Sequence, residues 1–376
     1  MKAVRSVLCA AAALAGLVFA TPQAAAQEVR IGVVMSTTGT FAFVGVPVVN
    51  AIRLAHDELV ASNGYGSARV NLIFEDNRSV TPEAISLINR MVTRDNVHMI
   101  VGPVSTGEAM AAGPVAVNLQ VPLITTATAA DVLRAGPWVF KVSETPAQYM
   151  APIGRHIATQ VRPRACFLVF IRDNDGYIQQ TNVFRDTIRA GGVAIAAEAS
   201  ILAADSDFTA LATNIVASRA DCLFLSTPPE QGANIVLQAR QAGMPANTVL
   251  VGNTGMSSDR YAQAGGPAVN GTYIPAEFAP SGSAELVRNF VANYTRRYNQ
   301  APDHFAAEGY TMMMLIARAI RETGATPTRQ SIRDAMARTR DFPVVLGQGR
   351  FSFDENRSPT FGSIVLVLRD GRWVQP

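Results

Sequence analysis

The sequence predicts an α/β protein made of two doubly wound parallel-sheet lobes joined by a three-strand hinge. Three observations predict it. Short, nearly continuous apolar runs alternate with segments of helical period, the pattern of parallel strands buried on both faces by crossover helices. The series runs once to about Thr125 and starts again after Pro146. Beyond about Ala276 it gives way to long helices and short strands.

Val29 to Met35 reads as the first strand. A turn with Gly39 and Gly45 follows, and Pro47 is read as opening a helix with Val48, Ile52, Ala55 and Leu59 on one face. Val70 to Phe74 is the second strand. Thr81-Pro82-Glu83 begins a helix with a hydroxyl cap, a first-turn proline and an acid suited to the helix dipole. Met99–Val101 and Val121–Thr125 are strands, with a helix from Thr106 to Asn118 between them. In the second series a helix to Gln160 precedes strands at Ala165–Ile171, Val193–Ala199, Cys222–Leu225 and Val249–Val251. Helices at Tyr177–Ala190, Phe208–Ser218 and Glu230–Ala242 separate these strands. Ser283–Asn299, Asp303–Arg321 and Thr328–Arg338 read as helices, and Arg350–Phe353 and Ile364–Leu368 as strands. The expected division is 27–144 plus 276–355 for one lobe and 145–275 plus 356–376 for the other. The crossings are expected near Lys141–Thr145, Ile274–Glu277 and Ser352–Phe361.

Residues 1–26 read as a cleaved signal peptide. Lys2 and Arg5 precede an uncharged apolar run from Val7 to Ala20, too short to span a bilayer comfortably, and Ala24-Ala25-Ala26 offers a cleavage site. Of 376 residues, 376 − 26 = 350 remain, enough for about two domains. The formal net charge is +3, and Lys2 and Arg5 leave with the signal. Basic residues are scattered, which argues against nucleic acid as a partner.

Cys166 and Cys222 each lie in an apolar run and read as small buried hydrophobes in preference to a disulfide. His56, His98, His156 and His304 are isolated and read as structural, so no metal is expected. Asp173-Asn174-Asp175-Gly176 fails as a calcium loop, because its glycine comes early and the distal acid is missing.

Ile31-Gly32-Val33, the turn Thr38 to Gly45, Glu75-Asp76-Asn77, Ile100-Val101-Gly102-Pro103, Pro122 to Thr128 and Gln238 to Gly243 stand in a specific order and spacing. In this the chain resembles the leucine/isoleucine/valine-binding family of solute receptors for ABC importers, over essentially its whole length after residue 26. The resemblance implies a type I periplasmic binding fold, a location in the periplasm and capture of a small hydrophobic carboxylate by hinge closure. It also implies an inner-membrane ABC permease as partner and a monomer without a cofactor. The ligand class stays open between aromatic or aliphatic acids and branched-chain amino acids.

Ser105 and Thr106 stand where a strand becomes a helix, and free N–H groups there suit a carboxylate. The family's second carboxylate-contacting loop matches Ala127, Thr128 and Ala129, without a choice between the last two. Phe41 and Phe43 lie in the first turn and read as ligand contacts. Tyr177 and Phe305 match a closing tyrosine and an apolar wall of relatives. At Thr254 relatives that bind α-amino acids usually carry an acid that pairs with the ammonium. Here Gly252-Asn253-Thr254-Gly255 offers none. A buried ammonium without a counter-charge is costly, so the ligand is expected to lack one, unless Glu144, Asp175 or Glu308 substitutes. A sensing domain of the same fold is the alternative function. An enzyme is not expected, since the sequence carries neither a nucleophile elbow nor a phosphate-cradling glycine loop.

Overall fold

The computed structural model describes residues 28–324 and 326–376, so the signal-peptide expectation lies outside the described residues. β1 (Glu28–Met35) leads into α1 (Ala42–Ala61), then β2 (Arg69–Asp76), α2 (Thr81–Thr93), β3 (Met99–Val101), α3 (Thr106–Asn118), β4 (Leu123–Thr125) and β5 (Val139–Lys141). The five strands form one parallel sheet in the order β2-β1-β3-β4-β5. Side chains of β1 alternate between two cores. Ile31, Val33 and Met35 join the core that includes α1, and Val34 joins that of α2 and α3.

The second series is α4 (Pro146–His156), β6 (Ala165–Ile171), α5 (Asp175–Ala190), β7 (Ala194–Ile201), α6 (Thr209–Ala217), β8 (Cys222–Ser226), α7 (Pro229–Gln241), β9 (Val249–Gly252), α8 (Asp259–Gly265) and β10 (Tyr273–Ala276). The chain then returns to the first core with α9 (Glu285–Tyr298), α10 (His304–Thr323) and α11 (Arg329–Ala337), which supply Phe290, Met313 and Ile332 to it. A small antiparallel sheet follows, made of β11 (Phe342–Pro343), β12 (Arg350–Phe353) and β13 (Pro359–Thr360). Finally β14 (Ile364–Arg369) and β15 (Arg372–Val374) complete the second sheet, in the order β15-β14-β10-β9-β8-β6-β7. β14 and β15 pair antiparallel at one edge of an otherwise parallel sheet. Phe361 still packs in the first core, so the third crossing falls at Gly362–Ser363, later than the expected switch at 356.

Three local readings are corrected. Pro47 lies inside α1 rather than at its start; the helix begins five residues earlier, where Gly45 lets it pass the preceding loop. A Cβ at Gly45 would stand 2.0 Å from the Ser36 carbonyl oxygen. At α2 the cap is Val80, with Thr81 already helical. Cys166 and Cys222 form a disulfide, contrary to the expectation of two free thiols. They are directly paired residues of β6 and β8, with Cα atoms 4.3 Å apart, so their side chains leave the sheet on the same face.

Candidate functional site

Both sheets share one strand order. In the first, β1 has β2 on one side and β3 on the other; in the second, β6 has β7 and β8. Each is therefore a point where the winding reverses, and a crevice opens beyond the carboxyl ends of the strands there. The two crevices face each other. Between them lies a cavity with about 470 Å³ of space between atoms, partly open to solvent.

Phe41, Phe43, Ser105, Thr106, Ala127, Thr128 and Phe305 line it from the first lobe, and Tyr177 and Thr254 from the second. Ala129 does not. It is fully buried behind the wall, and its N–H reaches Thr106 Oγ1 at 3.5 Å. Thr128 is thus the residue of that loop that faces the cavity.

The polar groups on the first lobe are only partly free. Ser105 caps α3 and is engaged in a full capping box: its N–H donates to Glu108 Oε2 at 2.8 Å and its Oγ accepts from the Glu108 N–H at 3.3 Å. The expectation that the Ser105 amide is free for a ligand is therefore corrected; only its hydroxyl proton remains to donate. The Ala127 N–H is likewise taken, by Thr125 Oγ1 at 3.1 Å. The helix-start amides of Thr106 and Gly107 have no acceptor within α3 and stay available. The buried Glu108 carboxylate offsets part of the positive field of this helix start.

The second lobe brings another helix start to the same place. Asn174 caps α5, its side-chain oxygen accepting from the Gly176 N–H at 2.9 Å. A Cβ at Gly176 would stand 2.7 Å from Thr106 Oγ1 and 2.8 Å from Thr128 Oγ1, both on the opposite lobe. Gln179 Nε2 also crosses the cleft, to Asp131 Oδ2 at 2.7 Å. The cleft is closed, and the bare backbone of Gly176 permits it. Asn174, Gly176, Gln180, Asn253 and Gly255 line the cavity and were not picked out as contacts in the sequence. The signal was present at Asn174 and Gly176, where a capping residue and a glycine open a helix after a strand.

Aromatic rings form the apolar wall. Phe43 meets Phe305 edge to face at 5.6 Å between centroids and lies 6.3 Å from Phe41. Burial raises the Tyr177 phenol well above its usual value, so it is a neutral O–H. Asn253 donates from Nδ2 to the Thr227 carbonyl at 3.0 Å, while its buried Oδ1 accepts no hydrogen bond. Among the described residues, no Asp, Glu, Lys, Arg or His lines the cavity.

Charge is concentrated beside it instead, where the chain crosses between lobes. Lys141, Glu144, Glu277, His304 and Glu308 are all buried. Lys141 Nζ donates to the Thr128 carbonyl and, at 3.3 Å, to that of Glu144. Glu144 Oε1 accepts from the N–H groups of Phe361 and Gly362, at 3.0 and 2.9 Å, and its own N–H donates to Glu277 Oε1 at 2.8 Å. The three crossings are thus tied through carboxylates. Burial pulls Lys141 down to about 7 against the attraction of Glu277, Glu308 and Glu144, and pushes the Glu277 carboxyl well above its usual range although His304 opposes it. Desolvation outweighs pairing for both. For His304 the balance reverses: burial lowers it, but Glu308, Glu277 and Asp303 together hold it above its usual value.

Comparison with known proteins agrees with this architecture. The periplasmic binding protein family matches residues 28–372. The Leu/Ile/Val-binding protein BraC3 of Rhizobium johnstonii is 23% identical over 355 residues, 93% of this chain and 92% of that protein. The leucine-binding protein of Thermotoga maritima superposes with a TM-score of 0.85 at 24% identity, covering 92% of this chain and 97% of its own. A Rhodopseudomonas palustris solute-binding protein solved with 4-hydroxybenzoate gives 0.83 at 19%, covering 93% and 96%. The match spans both lobes, and the chain is a member of the periplasmic binding protein family, with the type I fold of these structural neighbours.

Proposed function

We propose that this protein is the periplasmic receptor of an ABC importer and that its ligand is a small hydrophobic carboxylic acid without an ammonium group. The observation that carries the ligand class is the uncharged lining of the cavity. A carboxylate finds the Thr106 and Gly107 amides at the start of α3, the Ser105 and Thr106 hydroxyls, and the start of α5 across the cleft. An ammonium finds no counter-charge. Thr254 is neutral, Asp175 is exposed outside the cavity, and Glu144 and Glu308 are engaged at the crossings. The rings of Phe41, Phe43 and Phe305 suit a flat apolar body. The unpartnered Asn253 Oδ1 suits a hydroxyl on the ligand's far side.

Reversible capture is the role that fits; the site residues are Phe41, Phe43, Ser105, Thr106, Thr128, Tyr177, Thr254 and Phe305. The chain is expected to act after export as a monomer, delivering its ligand to a membrane permease. A thermal-shift screen tests this on protein refolded to strip bound ligand. Benzoate, 4-hydroxybenzoate, phenylpropanoid acids and 2-oxo acids are set against leucine, isoleucine, valine and phenylalanine. A ligand at a hundred times its Kd adds about 2.7 kcal/mol of stability. Shifts with the non-amino acids alone support the proposal; shifts with the amino acids alone overturn the ligand class.

A further inference from the structure

His304 and Glu308 stand one turn apart on α10, on one face of the helix. Glu277 leaves β10 at the second crossing and meets them. His304 Nε2 lies 3.3 Å from Glu277 Oε2 and 3.4 Å from Glu308 Oε1, and one ligand atom from each residue falls within 4.8 Å of the others. The side chains are 2%, 1% and 0% exposed for His304, Glu277 and Glu308.

These separations discriminate between two occupants of the space among them. An imidazolium donating to a carboxylate closes to about 2.7–2.9 Å. Two donors bound to one tetrahedral ion at about 2.05 Å are instead held about 3.3 Å apart, the edge of that tetrahedron. The two edges at His304, 3.3 and 3.4 Å, are near the second length, and the three ligand atoms all lie within 4.8 Å of one another. The oxygens agree: Glu277 Oε2 and Glu308 Oε2 are buried and accept no hydrogen bond. Unsatisfied carboxylate oxygens at zero exposure are costly unless a cation lies among them.

Glu144, Glu277 and Glu308 bring three carboxyl groups together here against Lys141 and His304, acid-rich surroundings that suit a cation. We propose that Glu277, His304 and Glu308 form a buried divalent-cation site of the zinc type at the crossing between the lobes. One nitrogen and two carboxylates are a donor set that zinc accepts, and the free Glu308 Oε2 is at hand as a further donor. Such an ion would lock α10 to the second crossing. Through Glu277 Oε1 and the Glu144 N–H it would also reach the first crossing. His304 is not isolated, contrary to the expectation from sequence, since it meets Glu277 and Glu308; the proposal does not depend on which organic ligand the cavity takes.

The site is closed to solvent, so loading is tested by refolding. The exported chain is unfolded, stripped with a chelator and refolded with two equivalents of Zn²⁺ or Co²⁺, then passed through a desalting column. The expected result is one ion retained per chain, a Co²⁺ visible spectrum of tetrahedral intensity, and at least a tenfold lower retained fraction in both Glu308→Gln and Glu277→Gln. Folded wild-type protein that retains no metal overturns the proposal. So does metal retained equally by the two variants, or an octahedral Co²⁺ spectrum, either of which marks an adventitious ion only. If a variant fails to fold, the stoichiometry and spectrum of the wild-type chain decide alone. The organic-acid melts run on metal-loaded and stripped protein separate failure here from failure of the receptor reading.

Discussion

The ligand cavity and the charged node at the crossings are both buried and polar, yet they are built on opposite principles. The cavity keeps neutral donors and a neutral acceptor without a partner inside the protein, beside a wall of packed aromatic rings. The node gathers Lys141, Glu144, Glu277, His304 and Glu308, and ties most of their atoms to one another or to backbone amides. Nearness to the ligand therefore does not mean service to it. Glu144 and Glu308, the acids that sequence reasoning offered as substitutes at Thr254, belong to the node. The bonds that the node does make hold the crossings, and the carboxylate oxygens it leaves over suit a cation; the neutral groups that the cavity leaves over suit an organic guest.

Breaking the node should give the largest effect, and on stability. Lys141→Met removes the buried amine that faces Glu144, Glu277 and Glu308. Loss of one member of a buried ion pair costs about 3–5 kcal/mol. Denaturant melts should show a loss of that size. Because Lys141 also donates to the Thr128 carbonyl, affinity should fall too, but less than tenfold. A variant as stable as the parent would mean that the carboxylates are already protonated or otherwise neutralised, and the contrast between the two regions would weaken.

Gly176→Val should do the reverse. Gly176 sits in the first turn of α5, in backbone that any residue adopts, so the fold should tolerate the change. In the closed cleft the new side chain collides with Thr106 and Thr128 across the lobes. Affinity is expected to fall about 100-fold, about 2.8 kcal/mol, with melting of the ligand-free protein unchanged. Calorimetry checks it. Unchanged affinity would show that binding does not require the lobes to approach this closely.

The contrast also explains what could be read from the sequence. β1 announces itself because a strand buried on both faces is a continuous apolar run, and α3 was placed at Thr106–Asn118 because capping chemistry is local. Nine of the ten candidate site residues line the cavity; local pattern at strand ends pointed to Phe41, Phe43, Ser105 and Thr106, while Ala127, Thr128, Tyr177, Thr254 and Phe305, the last on α10, came from the family resemblance. The seven residues of α8 are too few to show a period. The disulfide depends on the register of two strands whose cysteines are 56 residues apart. The node is less legible still. Ser143 donates to Glu308 across 165 residues of sequence, and Glu277 meets His304 only once the chain has folded back, although Glu308 stands one turn from it on α10. Side chains that answer to one another over such distances leave no local trace.

The smallest of the expected effects bears most directly on the ligand. Thr254 is 5% exposed and lines the second lobe's side of the cavity. Thr254→Glu places a carboxylate where relatives that bind amino acids carry one, in a wall that otherwise holds no charge. For a ligand with only a carboxylate the new acid adds a like charge and removes a neutral contact, so affinity should drop about tenfold, about 1.4 kcal/mol. For leucine or phenylalanine the same acid supplies the missing partner of the ammonium, and their affinity should rise by a similar factor. Specificity is the difference of the two, so the ratio between benzoate and leucine should move about a hundredfold while neither affinity alone moves by more than ten. Parallel titrations of both ligands read that ratio. If it stays put, position 254 does not meet the ligand's α-substituent, and the neutral wall would have to discriminate through Asn253 and the aromatic rings instead.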